Sequence, residues 1–359
     1  MLINKKNYRT IWHNKEKDNV QIIDQNKLPF ELEIISLSNL NDVLIAIKEM
    51  KVRGAPLIGA TAAYGVYLAF KEYNNQVSIN KAIKKIKNTR PTAVNLFWAV
   101  DRMMAKINFN FSKNEIEKTL LEEANLICEE DIKNCKKIGE FGLDIIKKID
   151  NKKKKINILT HCNAGWLATI DWGTATAPIY YARNNNIDIH VWVDETRPRN
   201  QGASLTSYEL NNEGIDNTII TDNTAGLLMQ RGEIDLCIVG ADRVISTGHV
   251  ANKVGTFLKA VIAKEFNIPF YVAIPTNTID WKTKNYEDII IEERDGKELR
   301  LVKGLDKNNI IRSVDIYPKS SKVYNPAFDI TPNKYVEALI TNKGIIQANE
   351  AAMIKIKND

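Results

Sequence analysis

Five loops in the second half of this 359-residue chain hold most of the groups that could do chemistry. Thr160-His161-Cys162-Asn163-Ala164-Gly165 offers a thiol, and Asp194-Glu195-Thr196-Arg197-Pro198-Arg199-Asn200-Gln201-Gly202 offers carboxylates, arginines and amides. Thr221-Asp222-Asn223, Gly240-Ala241-Asp242-Arg243 and Pro275-Thr276-Asn277-Thr278 add further acids, amides and hydroxyls. Converging on one crevice, they suit a small polar metabolite better than a flat protein-binding face. Cys162 lies in a polar, glycine-bearing loop that reads as the lead-in to a helix, a setting that favours a thiolate and binds anions. Its local context leaves a reactive and an inert thiol equally open. Asp242 follows the apolar run Ile238-Val239-Gly240-Ala241, and a carboxyl held against such walls can give up a proton near neutral pH. A surface or helix-capping aspartate is the alternative reading. In the first half, Arg53-Gly54-Ala55-Pro56 opens a helix, where a glycine, free backbone N–H groups and an arginine make a phosphate cradle. Arg90-Pro91 repeats the theme, and Asn252-Lys253-Val254-Gly255-Thr256 sets an amide, an ammonium and a hydroxyl at another helix start.

The elements that must position these groups follow from periodicity. Residues 1–150 read as mainly helical after a short extended start, with apolar residues at helical spacing over 41–51, 56–72, 79–87, 93–107 and 114–137. From 151 to 359 the pattern changes. Short β-branched runs at 156–159, 189–193, 218–220, 236–239 and 270–274 each lead into one of the five loops and then a helix-like segment. That alternation predicts an α/β chain with a parallel sheet and helices on both faces. Ligands of such sheets bind beyond the C-terminal ends of the strands. The run Lys152-Lys153-Lys154-Lys155 reads as a solvated turn and marks the boundary between the two domains.

Composition narrows the class. Hydrophobic residues are 44% and charged residues 26%, and the formal net charge is only +6, with basic and acidic residues interspersed. We expect a solvated surface and no nucleic-acid partner. The four cysteines and four histidines form no C-x-x-C pair or metal-ligand cluster, so neither a zinc site nor a disulfide framework is expected. Neither G-x-x-x-x-G-K-[ST] nor G-x-G-x-x-G occurs, which disfavours nucleotide cofactors. Residues 1–15 are polar, and the most apolar stretch, 54–70, is too short for a bilayer. With unpaired thiols, this points to a cytoplasmic protein without a membrane partner.

The motifs together resemble the methylthioribose-1-phosphate isomerase family. Arg53-Gly54-Ala55-Pro56-Leu57-Ile58-Gly59, Arg90-Pro91-Thr92-Ala93, Thr160-His161-Cys162-Asn163-Ala164-Gly165, Glu195-Thr196-Arg197-Pro198, Gln201-Gly202-Ala203, Gly240-Ala241-Asp242-Arg243, Asn252-Lys253 and Asn325-Pro326-Ala327-Phe328-Asp329 follow the family's order across most of the chain. The resemblance implies a helical N-terminal domain, a Rossmann-like catalytic domain and a homodimer. It implies Cys162 and Asp242 as the catalytic pair, and Arg53, Gly54, Ala55, Arg90, Gln201, Asn252 and Lys253 as ligands of a sugar-phosphate substrate, with no metal or organic cofactor. It also connects the chain to two other functions on this fold, regulatory subunits of the initiation-factor exchange complex and ribose-1,5-bisphosphate isomerase. Within the family pattern, 5-deoxyribose 1-phosphate is an additional candidate substrate. His249 stands where the family usually carries an aspartate, and Trp166 and Trp172 resemble only one of its branches.

Overall fold

The protein was analysed as a computed structural model that describes residues 1–150 and 155–358. Lys152, Lys153 and Lys154 lie outside the described residues. Lys155 is exposed and pairs with Asp216 at 2.7 Å, at the foot of the following strand.

The chain opens with a short hairpin, β1 (Leu2–Ile3) and β2 (Lys6–Asn7). An antiparallel sheet of β3 (Ile11–Asn14), β4 (Asn19–Ile23) and β5 (Ile34–Leu37) follows. Periodicity gave this region only as a short extended start. Five helices come next: α1 (Leu40–Lys48), α2 (Ala55–Glu72), α3 (Gln76–Lys87), α4 (Val94–Met104) and α5 (Lys113–Asp150). In α2 every residue from Leu57 to Phe70 is buried, because the other four helices surround it. A helix apolar on all faces has to sit inside a bundle. The 38 residues of α5 exceed the expected 114–137. Its first half, through Ile132, packs into the helical core, while Ile138 to Ile146 pack into the core beneath the large sheet. The apolar stripe changes partner midway, and a reading confined to one core loses it there.

The remaining elements are β6 (Ile156–Thr160), α6 (Ala177–Asn184), β7 (Ile189–Asp194), α7 (Ser207–Asn212), β8 (Asn217–Ile220), α8 (Thr224–Gln230) and β9 (Leu236–Val239). Next come β10 (Arg243–Ile245), β11 (Val250–Lys253), α9 (Thr256–Glu265), β12 (Phe270–Ile274) and β13 (Ile279–Asp280). The chain ends with α10 (Lys297–Arg300), β14 (Leu301–Leu305), β15 (Ile311–Asp315), β16 (Phe328–Thr331), β17 (Ala338–Thr341), β18 (Gly344–Ile346) and α11 (Glu350–Asn358). Among the described residues no helix is long and apolar enough to cross a membrane.

The large sheet has the order β18-β17-β12-β9-β6-β7-β8, with every neighbour parallel except β18. The chain thus starts in the middle, winds out through β7 and β8, returns, and winds out the other way through β9, β12 and β17. This is the doubly wound arrangement that the strand–loop–helix alternation predicted. The winding reverses between β6 and β9, and that switch point is where a crevice opens. A smaller sheet, ordered β13-β10-β11-β16, lies beside this end. It was not anticipated, since its strands are short and three of them carry polar motif residues.

Candidate active site

Cys162 follows β6 by two residues and Asp242 follows β9 by three, so the two groups flank the switch point. They line one small cavity together with Arg53, Gly54, Ala55, Asn163 and Asn252. Asp242 is half-buried and also faces an adjoining cavity walled by Ile58, Arg90, Ile289, Ile291 and Phe328. A larger cavity of about 550 Å³ shares Arg53 with the first, and Gln201 faces it. Eight of the nine candidate residues therefore line these three adjoining cavities, and Lys253 lines none of them.

Local geometry is specialised at several of these positions. Cys162 has φ +68°, a left-handed conformation that non-glycine residues adopt at a cost of ~1–3 kcal/mol. Its N–H donates to Thr196 Oγ1 at 2.8 Å, and its carbonyl accepts from Thr206 Oγ1 at 2.8 Å, so the turn is held from both ends. The helix start expected beside the thiol is absent. A one-turn 3-10 segment, Trp166–Ala168, follows, and α6 begins only at Ala177. Cys128, Cys135 and Cys237 are buried, and burial pushes all three thiols up, which suits inert core residues.

Gly54 caps α2 with φ +91°, and a Cβ there would stand 2.4 Å from the Ala168 carbonyl oxygen. Only glycine lets the helix N-terminus come this close to the Cys162 loop. The first-turn N–H groups of α2 lack intrahelical partners and can meet an anion. The Arg53 guanidinium bonds Asn163 twice, to Oδ1 and, at 2.7 Å, to the carbonyl. Gln201 is buried and its Oε1 has no partner. Asn252 lies opposite Asp329 on β11 and donates to Thr256 Oγ1 at 3.0 Å.

The site carries surplus positive charge. Lys253 is 3% exposed, donates to the Ala327 carbonyl at 2.8 Å and stands over the Phe328 ring. Burial, and then repulsion from Arg294, bring its pKa down to about 8. Burial and Arg294 also push Arg90 down. Arg294 itself was missed by the sequence reading. It lies over Phe328 and pairs with Glu292 at 3.2 Å. Burial alone would raise Glu292, but Arg90 and Arg294 hold it below the usual carboxylate range. Nearby cations with too few acids fit an anionic ligand.

His161, Asp194 and Asp222 bring possible metal-ligand atoms within 4.8 Å of one another, a juxtaposition that the sequence reading did not foresee. Most of their atoms are otherwise engaged, although Asp194 Oδ1 is buried with no hydrogen-bond partner among the described residues. His161 Nδ1 faces Asp194 at 2.9 Å, its Nε2 faces the Val254 carbonyl at 2.9 Å, and Lys259 Nζ approaches Asp194 at 3.1 Å. The Asp222 oxygens accept from the Thr196 and Arg197 N–H groups. Both ring nitrogens face oxygen atoms of neighbouring elements, so the ring is held within this network. His249 stacks on Tyr286 at 5.1 Å, and burial pushes it down, so the loop before β11 carries no added positive charge at neutral pH. Trp166 is fully buried and Trp172 packs on Tyr181, so both are core residues and not walls of these cavities.

Fold and site together define a doubly wound α/β protein with a thiol, a carboxyl and an anion cradle at its switch point. The chain belongs to the Initiation factor 2 subunit family, whose pattern matches residues 51–348. It is 51% identical over 358 residues to the methylthioribose-1-phosphate isomerase of Desulfatibacillum aliphaticivorans, covering 98% of this chain and 97% of the relative. It is 48% identical over 352 residues to the enzyme of that name from Methylorubrum extorquens, covering 98% and 96%. The solved 5-methylthioribose 1-phosphate isomerase from Pyrococcus horikoshii superposes with TM-score 0.84 at 37% identity over 98% of this chain and 96% of that one. A structure described as the translation initiation factor eIF-2B, subunit delta, from A. fulgidus is also similar, with TM-score 0.79 and 40% identity over 97% and 100%.

Proposed function

We propose that this chain is an aldose–ketose isomerase converting 5-methylthioribose 1-phosphate to 5-methylthioribulose 1-phosphate, as in methionine salvage, with Cys162 and Asp242 as its reacting groups. The observation that carries this reading is their meeting in one cavity at the switch point, with Arg53 and the α2 N-terminus at its edge. A regulatory subunit on the same fold has no need of that pair. The 1-phosphate blocks the anomeric oxygen, so the ring cannot open to a free aldehyde. Asp242 protonates the ring oxygen as its bond to C1 breaks. Hydrogen passes from C2 to C1, either as a proton carried by Cys162 or as a hydride shifting beside it, while the C2 hydroxyl loses its proton and becomes the ketone. Arg53, Gly54, Ala55, Arg90, Gln201, Asn252 and Lys253 hold the phosphate and hydroxyls. The reaction needs a site poor in water to protect the intermediate.

The substrate's C5 group supports a finer reading. Leu28, Phe30, Met50 and Leu205 line the larger cavity next to Arg53. Arg199 in the same wall is taken up by Glu298 at 3.1 Å and Asn26 at 3.0 Å. Lys297 and Lys303 also line this cavity, Lys303 donating to the Asn26 carbonyl, and the four apolar side chains give an uncharged tail a surface to pack on. The enzyme therefore also turns over 5-deoxyribose 1-phosphate, within ~10–200-fold of the methylthio compound, and ribose 1,5-bisphosphate poorly. Comparing kcat/KM for the three compounds tests this. Preference for the bisphosphate overturns the substrate assignment, and no isomerisation of any of them returns the chain to the regulatory class. The protein acts in the cytoplasm as a homodimer, with 1–150 as a helical unit and 151–359 as the catalytic unit. The exposed apolar side chains Leu305, Ile310, Val314 and Ile316 on and beside the β14–β15 hairpin support self-association.

A further inference from the structure

Glu209 is wholly buried, yet no step of the reaction uses it. It sits on the short helix α7. Its carboxylate gathers four donors. Oε1 accepts from Asn163 Nδ2 at 2.9 Å and from the Leu167 N–H at 2.9 Å, and Oε2 accepts from the Trp166 N–H at 3.1 Å and from the Tyr180 hydroxyl at 3.0 Å. Room for it exists only because residue 165 is glycine, where a Cβ would stand 1.6 Å from Oε2. Burial pushes Glu209 up to about 7, against the pull of its donors; in its ionised form it is acceptor-only, so the Asn163 amide turns its NH2 towards it. The second partner of that NH2, Thr206 Oγ1 at 3.2 Å, gives its own proton to the Cys162 carbonyl and so also accepts. The amide therefore has one permitted orientation, with Oδ1 facing the Arg53 guanidinium. The bonds to Trp166 and Leu167 also pin the segment whose Ala168 carbonyl lies against Gly54.

We propose that Glu209 and Asn163 are positioning residues for the phosphate cradle: the buried carboxylate fixes the Asn163 amide, and that amide aims Arg53 at the substrate's phosphate. This inference rests on the reading of Arg53 as a phosphate ligand. Losing either side chain removes or loosens the guanidinium's bond to Asn163 Oδ1, leaving it held only by the Asn163 carbonyl, and weakens phosphate binding, while Cys162 and Asp242 keep their places. The test measures kcat and KM for methylthioribose 1-phosphate, and the inhibition constant of inorganic phosphate, in Asn163→Ala, Glu209→Gln, their double variant and Arg53→Ala. Loss of hydrogen bonds to charged groups predicts a ~10–100-fold rise in KM and in the phosphate inhibition constant for each single variant, with a smaller change in kcat. The double variant should be no weaker than the worse single one, because both act through Arg53. A purely structural role would lower the amount of folded enzyme and leave both constants unchanged. Asn163→Ala keeps three of the four donors on Glu209, so it decides the matter alone if Glu209→Gln does not fold. Unchanged constants in Asn163→Ala, beside raised ones in Arg53→Ala, overturn the inference and spare the reading of Arg53. Unchanged constants in Arg53→Ala overturn both.

Discussion

Cys162 is flanked by two residues that serve two buried networks, and the networks differ in where they lead. His161, on one side, joins Asp194 and Lys259, all at most 2% exposed. Their bonds connect the ends of β6 and β7 to the start of α9 and to the Asp222 carbonyl, which accepts from Lys259 at 3.0 Å. None of the three lines the three cavities of the site. Asn163, on the other side, joins Glu209 to Arg53, and both Asn163 and Arg53 face the cavity. Similar material, buried carboxylates with their donors, clamps strands on one side and aims a ligand group on the other. The first network should register in stability and the second in affinity, while the residue between them should register in turnover.

Turnover should show the largest effect. Cys162→Ala and Asp242→Asn each remove a proposed reacting group, and general acid–base groups contribute ~10²–10⁴-fold. Both variants should lose kcat by that order while their denaturant midpoints stay with the wild type, because neither side chain supports a network. Full activity in Asp242→Asn would end its role as the acid. Stability comes next. Asp194→Asn takes from Lys259 and the His161 ring the negative charge they share, and leaving the buried Lys259 ammonium unbalanced in this way costs about 3–5 kcal/mol. Urea unfolding at constant slope should show that loss, with KM of the surviving folded enzyme close to the wild-type value. A similar loss of stability in Asn163→Ala would erase the contrast between the networks.

How much of this was legible in the sequence depended on the range of each signal. The parallel strands β6, β7, β9 and β12 announced themselves as β-branched runs, since a strand buried on both faces has no polar alternation to obscure it, while the half-exposed edge strand β8 was read from its run Thr218–Ile220 alone. The sixth parallel strand, Ala338–Thr341, is equally apolar but carries no reactive loop, and it went unread. The N-terminal sheet hid behind mixed residues such as Trp12, His13 and Asn14. Cys162, Asp242 and Arg53 were found because their residue types and motif neighbours speak for themselves. Glu209, Glu292 and Arg294 were not. Each sits in a charged or polar stretch that looks like solvated surface, and only the tertiary fold, through Gly165 beside Glu209 or Phe328 beneath Arg294, reveals the burial. Conversely, the helix start predicted beside Cys162 fails because the chain spends residues 163–176 on a bonded loop before α6 begins.

The last and smallest expected effect separates two buried lysines that the sequence presents alike. Lys259, 2% exposed, faces the Asp194 carboxylate, and its ammonium is balanced whether or not a ligand is present. Lys253, 3% exposed, has a backbone carbonyl as its bonded partner and Arg294 as a repelling neighbour. Burial and that repulsion bring its pKa from the usual 10.5 to about 8. The sign follows directly. Below about pH 8 the ammonium is present to receive a phosphate, and above it the free enzyme loses that cation. Because kcat/KM reports groups in the free enzyme, it should fall as pH rises through this value, by at most about tenfold per unit. The kcat limb should fall at higher pH, since bound phosphate dianion holds the proton on Lys253. Lys253→Arg should remove the limb, because a guanidinium keeps its charge throughout this range. Lys259→Arg, with its charge already matched inside the first network, should leave the limb where it is and disturb stability instead. A limb that stays at the same pH in Lys253→Arg would assign the titration to another group and take Lys253 out of the phosphate cradle's charge balance.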